Sequence, residues 1–130
     1  MFRIHSTNDG RVPPTEKLPA GAITPKVGMA LSMSSGNLAI AKDATKPTYI
    51  SMCERETALT AGELIPVIRV EDGMIFGATL SAAGTNLKLG DKVKLHASNG
   101  LDVTATTTDG VAEIVAINGT AIGDEVLVRF

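Results

Sequence analysis

The sequence predicts a mainly β protein: a small antiparallel β-barrel preceded by an extended N-terminal arm, with little helix. Three observations lead to this prediction: a proline-rich first segment, short apolar or alternating runs of strand length after it, and turn dipeptides between those runs. With 130 residues the chain can bury a core of its own without a metal or a disulfide. We therefore expect an arm over residues 1–25 and a single barrel-like domain over residues 26–130.

The expected arm is rich in proline. Four of the six prolines of the chain, at positions 13, 14, 19 and 25, fall within it. Proline fixes φ and has no N–H, so we expect that this stretch neither joins the centre of a sheet nor sustains a helix. It also carries Phe2 and Ile4 beside Arg3, an apolar anchor next to a cation, which suits docking onto another protein by ordering on contact. The alternative is a frayed terminus without a role.

From Val27 onward the chain reads as strands separated by turns. The candidate strands are 27–33 (VGMALSM), 37–41 (NLAIA), 48–53 (TYISMC), 63–70 (ELIPVIRV), 74–80 (MIFGATL), 92–97 (KVKLHA), 101–106 (LDVTAT), 111–117 (VAEIVAI) and 125–130 (EVLVRF). The turn pairs between them are Ser35-Gly36, Asp72-Gly73, Asn99-Gly100, Asp109-Gly110 and Asn118-Gly119. Both residues of each pair tolerate positive φ, so we expect tight hairpin turns in an antiparallel, meandering sheet. The one helical element expected is a short turn over residues 81–86.

One phrase occurs twice, as LKLGDKVKL at residues 87–95 and as IGDEVLVRF at residues 122–130. Glycine permits a backbone conformation closed to other residues, and aspartate can accept a hydrogen bond from the backbone beside it. The strand after each copy places alternate apolar residues on one face: Val93, Leu95 and Ala97 in the first copy, and Val126, Val128 and Phe130 in the second. We interpret both copies as corners that start a strand of a closed or nearly closed barrel, in which closure removes exposed sheet edges.

The sequence offers no catalytic or metal-binding site. Cys53 is the only cysteine and lies in an apolar run, which is typical of a small buried side chain. His5 and His96 are the only histidines, and neither belongs to a group with metal-ligand spacing. The stretch SMSSGN could be a self-cleaving serine site of a pyruvoyl enzyme, but Ser35-Gly36 fits a hairpin turn better. We expect no catalytic residue, no metal and no cofactor, and hence no enzyme.

Composition also argues against two other classes of protein. The net charge is −2, and the aromatic residues are one tyrosine and three phenylalanines, whereas single-stranded nucleic acid is bound by basic grooves with several stacking rings. No apolar run has the eighteen or so residues that a membrane span needs. We therefore expect a soluble protein, made in the cytoplasm, that binds neither nucleic acid nor membrane.

The order of features from residue 23 to 130 resembles that of small bacteriophage head decoration proteins. The resemblance lies in ITPKVGMALSMSSGNLAIAKDATKPTYISM, followed by AGELIPVIRVEDGMIF, the LKLGDKVKL phrase, GLDVTATTTDGVAEIVAI and the closing GDEVLVRF. It implies a β-tulip-like body and a homotrimer that binds the outer surface of the mature capsid and cements neighbouring major capsid subunits. The expected location is then the virion surface, after synthesis in the host cytoplasm.

The capsid contacts are expected in the arm because of its character. The candidates are Phe2, Arg3, Ile4, Arg11, Val12, Pro13 and Pro14. The alternative function is a small β-barrel module that binds nucleic acid or another soluble protein.

Overall fold

Eleven β-strands and no helix make up the computed structural model, which describes residues 1–130. The strands are β1 (Arg3–Ser6), β2 (Glu16–Ala20), β3 (Ala30–Ser34), β4 (Asn37–Ile40), β5 (Tyr49–Ser51), β6 (Glu63–Arg69), β7 (Ile75–Leu80), β8 (Lys92–Val93), β9 (Asp102–Val103), β10 (Ala112–Ile117) and β11 (Glu125–Arg129). Each candidate strand of the sequence overlaps one of them, which confirms the mainly β class. The helical turn expected over residues 81–86 is wrong, because these residues form bends and turns.

The strands form two sheets. One is a closed barrel in the order β2-β4-β3-β5-β6, and this confirms the predicted barrel. The other has six strands: β1-β7-β11-β10-β8, with β9 paired to β7. All pairs are antiparallel except β2 with β4 and β7 with β9. The barrel thus uses only part of the expected domain and includes β2 from the expected arm.

The extended arm predicted over residues 1–25 is not confirmed, because this segment contributes a strand to each sheet. β1 pairs with β7, with Arg3 opposite Gly77, and β2 pairs with β6 along its whole length. Proline did not prevent this, for a local reason: only Pro19 lies within a strand, and the other prolines of the segment lie between or after the strands. β2 pairs with β4 only at Ala20, so along the rest of β2 one side has no neighbouring strand. A proline, which has no N–H to donate to a neighbouring strand, is therefore tolerated at position 19.

The two halves of the chain repeat one connectivity. In the first half β2 pairs with β4 in parallel and with β6 antiparallel, while β5 pairs with β3 and β6. In the second half β7 pairs with β9 in parallel and with β11 antiparallel, while β10 pairs with β8 and β11. The antiparallel contact of β3 with β4 also has a counterpart, a single bridge between Leu95 and Val103. The second half is therefore a less regular copy of the barrel.

Equivalent positions carry the interior side chains of both halves. Three such pairs, set by the strand registers, are Leu31 and Val93, Leu38 and Val103, and Val67 and Val128, all without solvent exposure. Each interior forms its own core cluster. The larger cluster also takes in Ala30, Ile50 and Ile68 from the first barrel, so the two halves pack together through that barrel face.

The repeated Gly-Asp phrase forms two identical corners, as predicted. Gly90 and Gly123 have φ of +91° and +90°. The carboxylate of Asp91 accepts the backbone N–H of Lys88 at 2.9 Å, and that of Asp124 accepts the N–H of Ala121 at 3.0 Å. Both corners belong to the six-stranded sheet rather than to the closed barrel, which corrects their expected place. Ala97 is exposed, so the buried face after the first corner ends at Leu95.

The same backbone turn occurs at the equivalent places of the first half. Gly28 and Gly62 have φ of +82° and +91°, and the residue after each donates its N–H to the carbonyl three positions earlier. All four glycine N–H groups donate to a neighbouring strand: to Ser51 and Ala20 in the first half, and to Ile114 and Leu80 in the second. Each of the four turns thus fixes where a strand begins.

Candidate functional site: an apolar groove beside the first strand

A groove of about 340 Å³ lies where the N-terminal segment crosses the first barrel. We call it the N-terminal groove; its lining residues are Met1, Phe2, Arg3, Ile4, Val12, Val27, Gly28, Ile50, Met52 and Ile68. They come from β1, the loop after it, the turn before β3, and the strands β5 and β6 with their flanks. Eight of these ten residues are hydrophobic, so the groove presents an almost wholly apolar surface.

Phe2 forms the floor of the groove and fixes the position of β1. Its side chain is 2% exposed, and its ring meets the ring of Phe130 edge-on at 5.6 Å between centroids. Its N–H donates to the carbonyl of Gly28 at 2.9 Å. A Cβ at Gly28 would lie 2.9 Å from the carbonyl oxygen of Phe2, so the close approach of the two segments requires glycine. Phe2 is therefore a core residue and not a free anchor.

Half of the exposed large hydrophobic side chains of the molecule lie in this one groove. They are Met1, Val12, Val27 and Met52, with exposed fractions from 38% to 63%. Single exposed apolar side chains are normal on a protein surface, but four that share one concave patch make this groove the candidate contact surface. The remaining four lie outside the groove: Met33, Leu64, Leu89 and Ile122.

Few charges border the groove. The Arg3 guanidinium pairs with the Glu125 carboxylate at 2.7 Å, and Lys26 pairs with Glu54 at 3.6 Å. Arg11 has no ion-pair partner. Partial burial lowers the pKa of the Met1 α-amino group, although nearby Asp102 opposes the shift. The groove thus favours an uncharged, apolar surface over a charged one.

The structure brings some of the predicted contact residues together and separates others. Phe2, Arg3, Ile4 and Val12 line the groove. Arg11, Pro13 and Pro14 are neighbours of Val12 in the sequence, but none of them lines the groove. Arg11 and Pro14 are exposed elsewhere on the surface, and Pro13 is buried.

Sequence reasoning missed the other wall of the groove. The sequence pattern predicts Val27 and Met52 within strands, whereas Val27 lies before β3 and Met52 directly follows β5. Their exposure depends on how the first barrel meets the N-terminal segment, which no local pattern encodes. The one local signal is the glycine after Val27, because Leu89 and Ile122, which precede the equivalent glycines of the second half, are exposed as well.

A second hollow, of about 350 Å³, is polar. It is lined by Lys46, Lys92, Gly110, Val111, Glu113, Arg129 and Phe130. Arg129 holds Glu113 through two hydrogen bonds of 3.0 and 3.1 Å, and this contact lowers the pKa of the Glu113 carboxyl and raises that of Arg129. Glu113 lies opposite Arg129 just as Ile50 lies opposite Ile68 in the first half. The face that is apolar and packed in the first half is therefore charged and exposed in the second.

The residues considered for catalysis have structural roles. His96 accepts the backbone N–H groups of Ser98 and Asn99 through Nδ1, at 3.1 and 3.2 Å, and so shapes the turn before β9. Ser35 and Gly36 both have positive φ and form the two-residue turn between β3 and β4 that was predicted. Cys53 is buried. No three His, Cys, Asp or Glu side chains converge in a way that could hold a metal ion.

Comparison with known protein families and with curated proteins found no match to this chain. The structure contains no helix long and apolar enough to pass through a membrane.

Proposed function

We propose that this protein is a non-enzymatic virion structural protein that decorates a bacteriophage head. In this role it binds the outer surface of the mature capsid and cements neighbouring major capsid subunits, as a homotrimer. The observation that carries the proposal is the N-terminal groove, where exposed apolar side chains gather on one concave surface next to Ile4 and Val12. The likeness of residues 23–130 to head decoration proteins in the order of their motifs supports the choice of partner.

The mechanism is linkage between binding and stability. A ligand that binds only the mature lattice stabilises that lattice, by about 2.7 kcal/mol when its free concentration is 100 times the dissociation constant. Full burial of an aliphatic or methionine side chain contributes roughly 1.5–3 kcal/mol, and Val12 and Met52 are exposed enough to gain part of this on contact. Repeated contacts around a threefold axis would add avidity to each weak contact.

Co-sedimentation with mature, expanded capsids tests the proposal. We expect the wild-type protein to sediment with capsids in a repeating stoichiometry and to raise the temperature at which they disrupt. Met52→Lys, which places a charge in the groove, should weaken binding about tenfold or more, equivalent to roughly 1.4 kcal/mol. The matched control is Met33→Lys, because Met33 is 44% exposed and Met52 45%, and Met33 lies outside the groove. Capsids that bind no wild-type protein, or equal losses in both variants, would contradict the proposal.

The alternative is a module that binds another soluble protein or nucleic acid. The groove fits a soluble protein as well as a capsid, so the discriminating result is binding to capsids. For nucleic acid, the only hollow with several cations is the polar one around Lys46, Lys92 and Arg129. Retention on nucleic acid that falls steeply with salt, and that Lys46→Gln/Lys92→Gln abolishes, would favour that alternative.

A further inference from the structure

The first strand has a free edge. β1 is the outermost strand of its sheet and pairs with β7 on one side only. Phe2, just before it, donates to Gly28, but no backbone hydrogen bond joins residues 3–6 to any segment other than β7. The outward N–H and C=O groups of a strand in this position are available to another strand.

The free edge runs along two hollows that form one trough. The N-terminal groove borders Arg3 and Ile4, and a shallower hollow of about 440 Å³ continues past Ile4 to Thr7. Both hollows are lined by Ile4 and Val12, so they adjoin one another beside β1. Residues of β1 line both hollows, and the groove part is apolar.

We propose that the free edge of β1 accepts an extended strand of a partner polypeptide, whose alternate apolar side chains enter the N-terminal groove. Main-chain hydrogen bonds along an edge provide affinity in this mode of recognition, and pockets for every second side chain provide specificity. Successive side chains of a strand point to opposite faces, so the partner presents apolar side chains to the groove at every second position. β1 has four residues and its register with β7 shifts between Ile4 and Ser6, so the segment that a partner strand can pair with is short. The proposal rests on the proposed adhesive function and names its mode of contact.

A second copy of this chain fits the trough poorly. The strand at the other end of the sheet, β8, has only the two residues Lys92 and Val93, so the edge that a second copy can offer is β1, with the sequence Arg-Ile-His-Ser. Self-pairing of the whole of β1 about a twofold axis at its centre would set Ile4 of one copy against His5 of the other and bring polar side chains into an apolar groove. The other exposed apolar strand residues, Met33 and Leu64, lie on β3 and β6, which are paired with a neighbouring strand on both sides. The partner is therefore a different polypeptide.

A capped designed peptide, acetyl-Thr-Val-Thr-Val-Thr-Val-amide, is the probe, followed by amide and methyl chemical shifts of the intact protein up to millimolar peptide. We expect saturable shifts in the amides of residues 3–6 and in the methyl groups of Val12 and Met52. Slower hydrogen exchange at the outward amides of β1 should accompany them. Met52→Lys should weaken binding at least fivefold, and Met33→Lys should leave it within twofold.

The same peptide with N-methyl groups on alternate residues separates strand pairing from plain apolar contact. It keeps every side chain but lacks the N–H groups that one edge needs, so we expect at least a tenfold loss of binding when they face β1. Equal binding of both peptides, shifts confined to residues outside the trough, or no saturable shift overturns the inference. So does a concentration-dependent dimer that protects the β1 amides without peptide.

These outcomes are independent of the capsid experiment. Capsid binding that Met52→Lys abolishes, together with equal binding of both peptides, would refute the strand mode and leave the proposed function standing. Strand-selective peptide binding without capsid binding would refute the proposed function and leave the edge as a recognition site for another protein.

Discussion

At the scale of single residues, the close crossing at Gly28 holds the N-terminal groove together. Gly28 and Gly62 occupy equivalent turns with nearly equal φ, but only Gly28 faces another backbone. A side chain at Gly28 would meet Met1 and Phe2, whereas a Cβ at Gly62 has nothing within 4 Å. The two positions therefore separate the cost of positive φ from the cost of the crossing.

Gly62→Ala should lower the free energy of unfolding by about 1–2 kcal/mol, because an L residue is placed in the left-handed region. Gly28→Ala should cost that amount and roughly 1–3 kcal/mol more, because the N-terminal segment must move away. Urea unfolding of both variants measures the difference. Equal losses would show that the crossing is loose and that the groove has no fixed wall on this side.

At the scale of elements, the sequence predicted strands well and the first segment badly. Alternation located β3 to β11, because this signal is local. Of the five turn pairs, only Ser35-Gly36 has positive φ at both residues and forms the expected two-residue hairpin turn. β1 and β2 escaped because each is short and their segment holds four prolines, and because their pairing depends on distant partners, β7 and β6. The corners at Asp91 and Asp124 were predicted in detail, since one glycine and one carboxylate suffice to build them.

The candidate site was predicted only in part for the same reason. The apolar character of the first segment predicts Ile4 and Val12 as contact residues, although it also predicts that this segment is a free arm. Val27 and Met52 complete the groove only through the packing of the first barrel against β1. A surface assembled by tertiary contact leaves no periodic trace in the sequence.

Phe2→Ala distinguishes a packed strand from a free arm. Removal of a buried phenylalanine side chain costs about 3–5 kcal/mol, whereas the same change in a disordered arm costs nothing. We expect a loss within that range in urea unfolding, with faster hydrogen exchange at residues 3–6. Val12→Ala is the control, because Val12 is 63% exposed, and it should lower the stability by less than about 1 kcal/mol. An unchanged unfolding midpoint for Phe2→Ala would show instead that the first segment is a free arm.

At the scale of the whole molecule, the two halves share a fold but differ on one outer face. Ala30, Ile50 and Ile68 of the first half correspond in register to Lys92, Glu113 and Arg129 of the second. The first set is buried against the other half, and the second set lines the exposed polar hollow. The sequence does not reveal this repeat, because the two halves have in common only the turn glycines and the apolar character of the interior positions. In a tandem repeat, a polar outer face on the last unit prevents further stacking.

Replacement of the charged pair of the second half by two isoleucines should therefore make the protein self-associate. In Glu113→Ile/Arg129→Ile, the second half gains the cross-strand isoleucine pair of the first, next to Val111 and Phe130. The fold should survive, because an exposed ion pair contributes only about 0.2–1 kcal/mol and paired β-branched side chains suit a sheet. Sedimentation velocity should show concentration-dependent oligomers. The control Glu16→Ile/Arg69→Ile removes another exposed Arg–Glu pair, at 3.3 Å, and should add no oligomers beyond the wild-type distribution. Equal association of both variants would mean that added surface hydrophobicity, and not the repeated face, drives the contact.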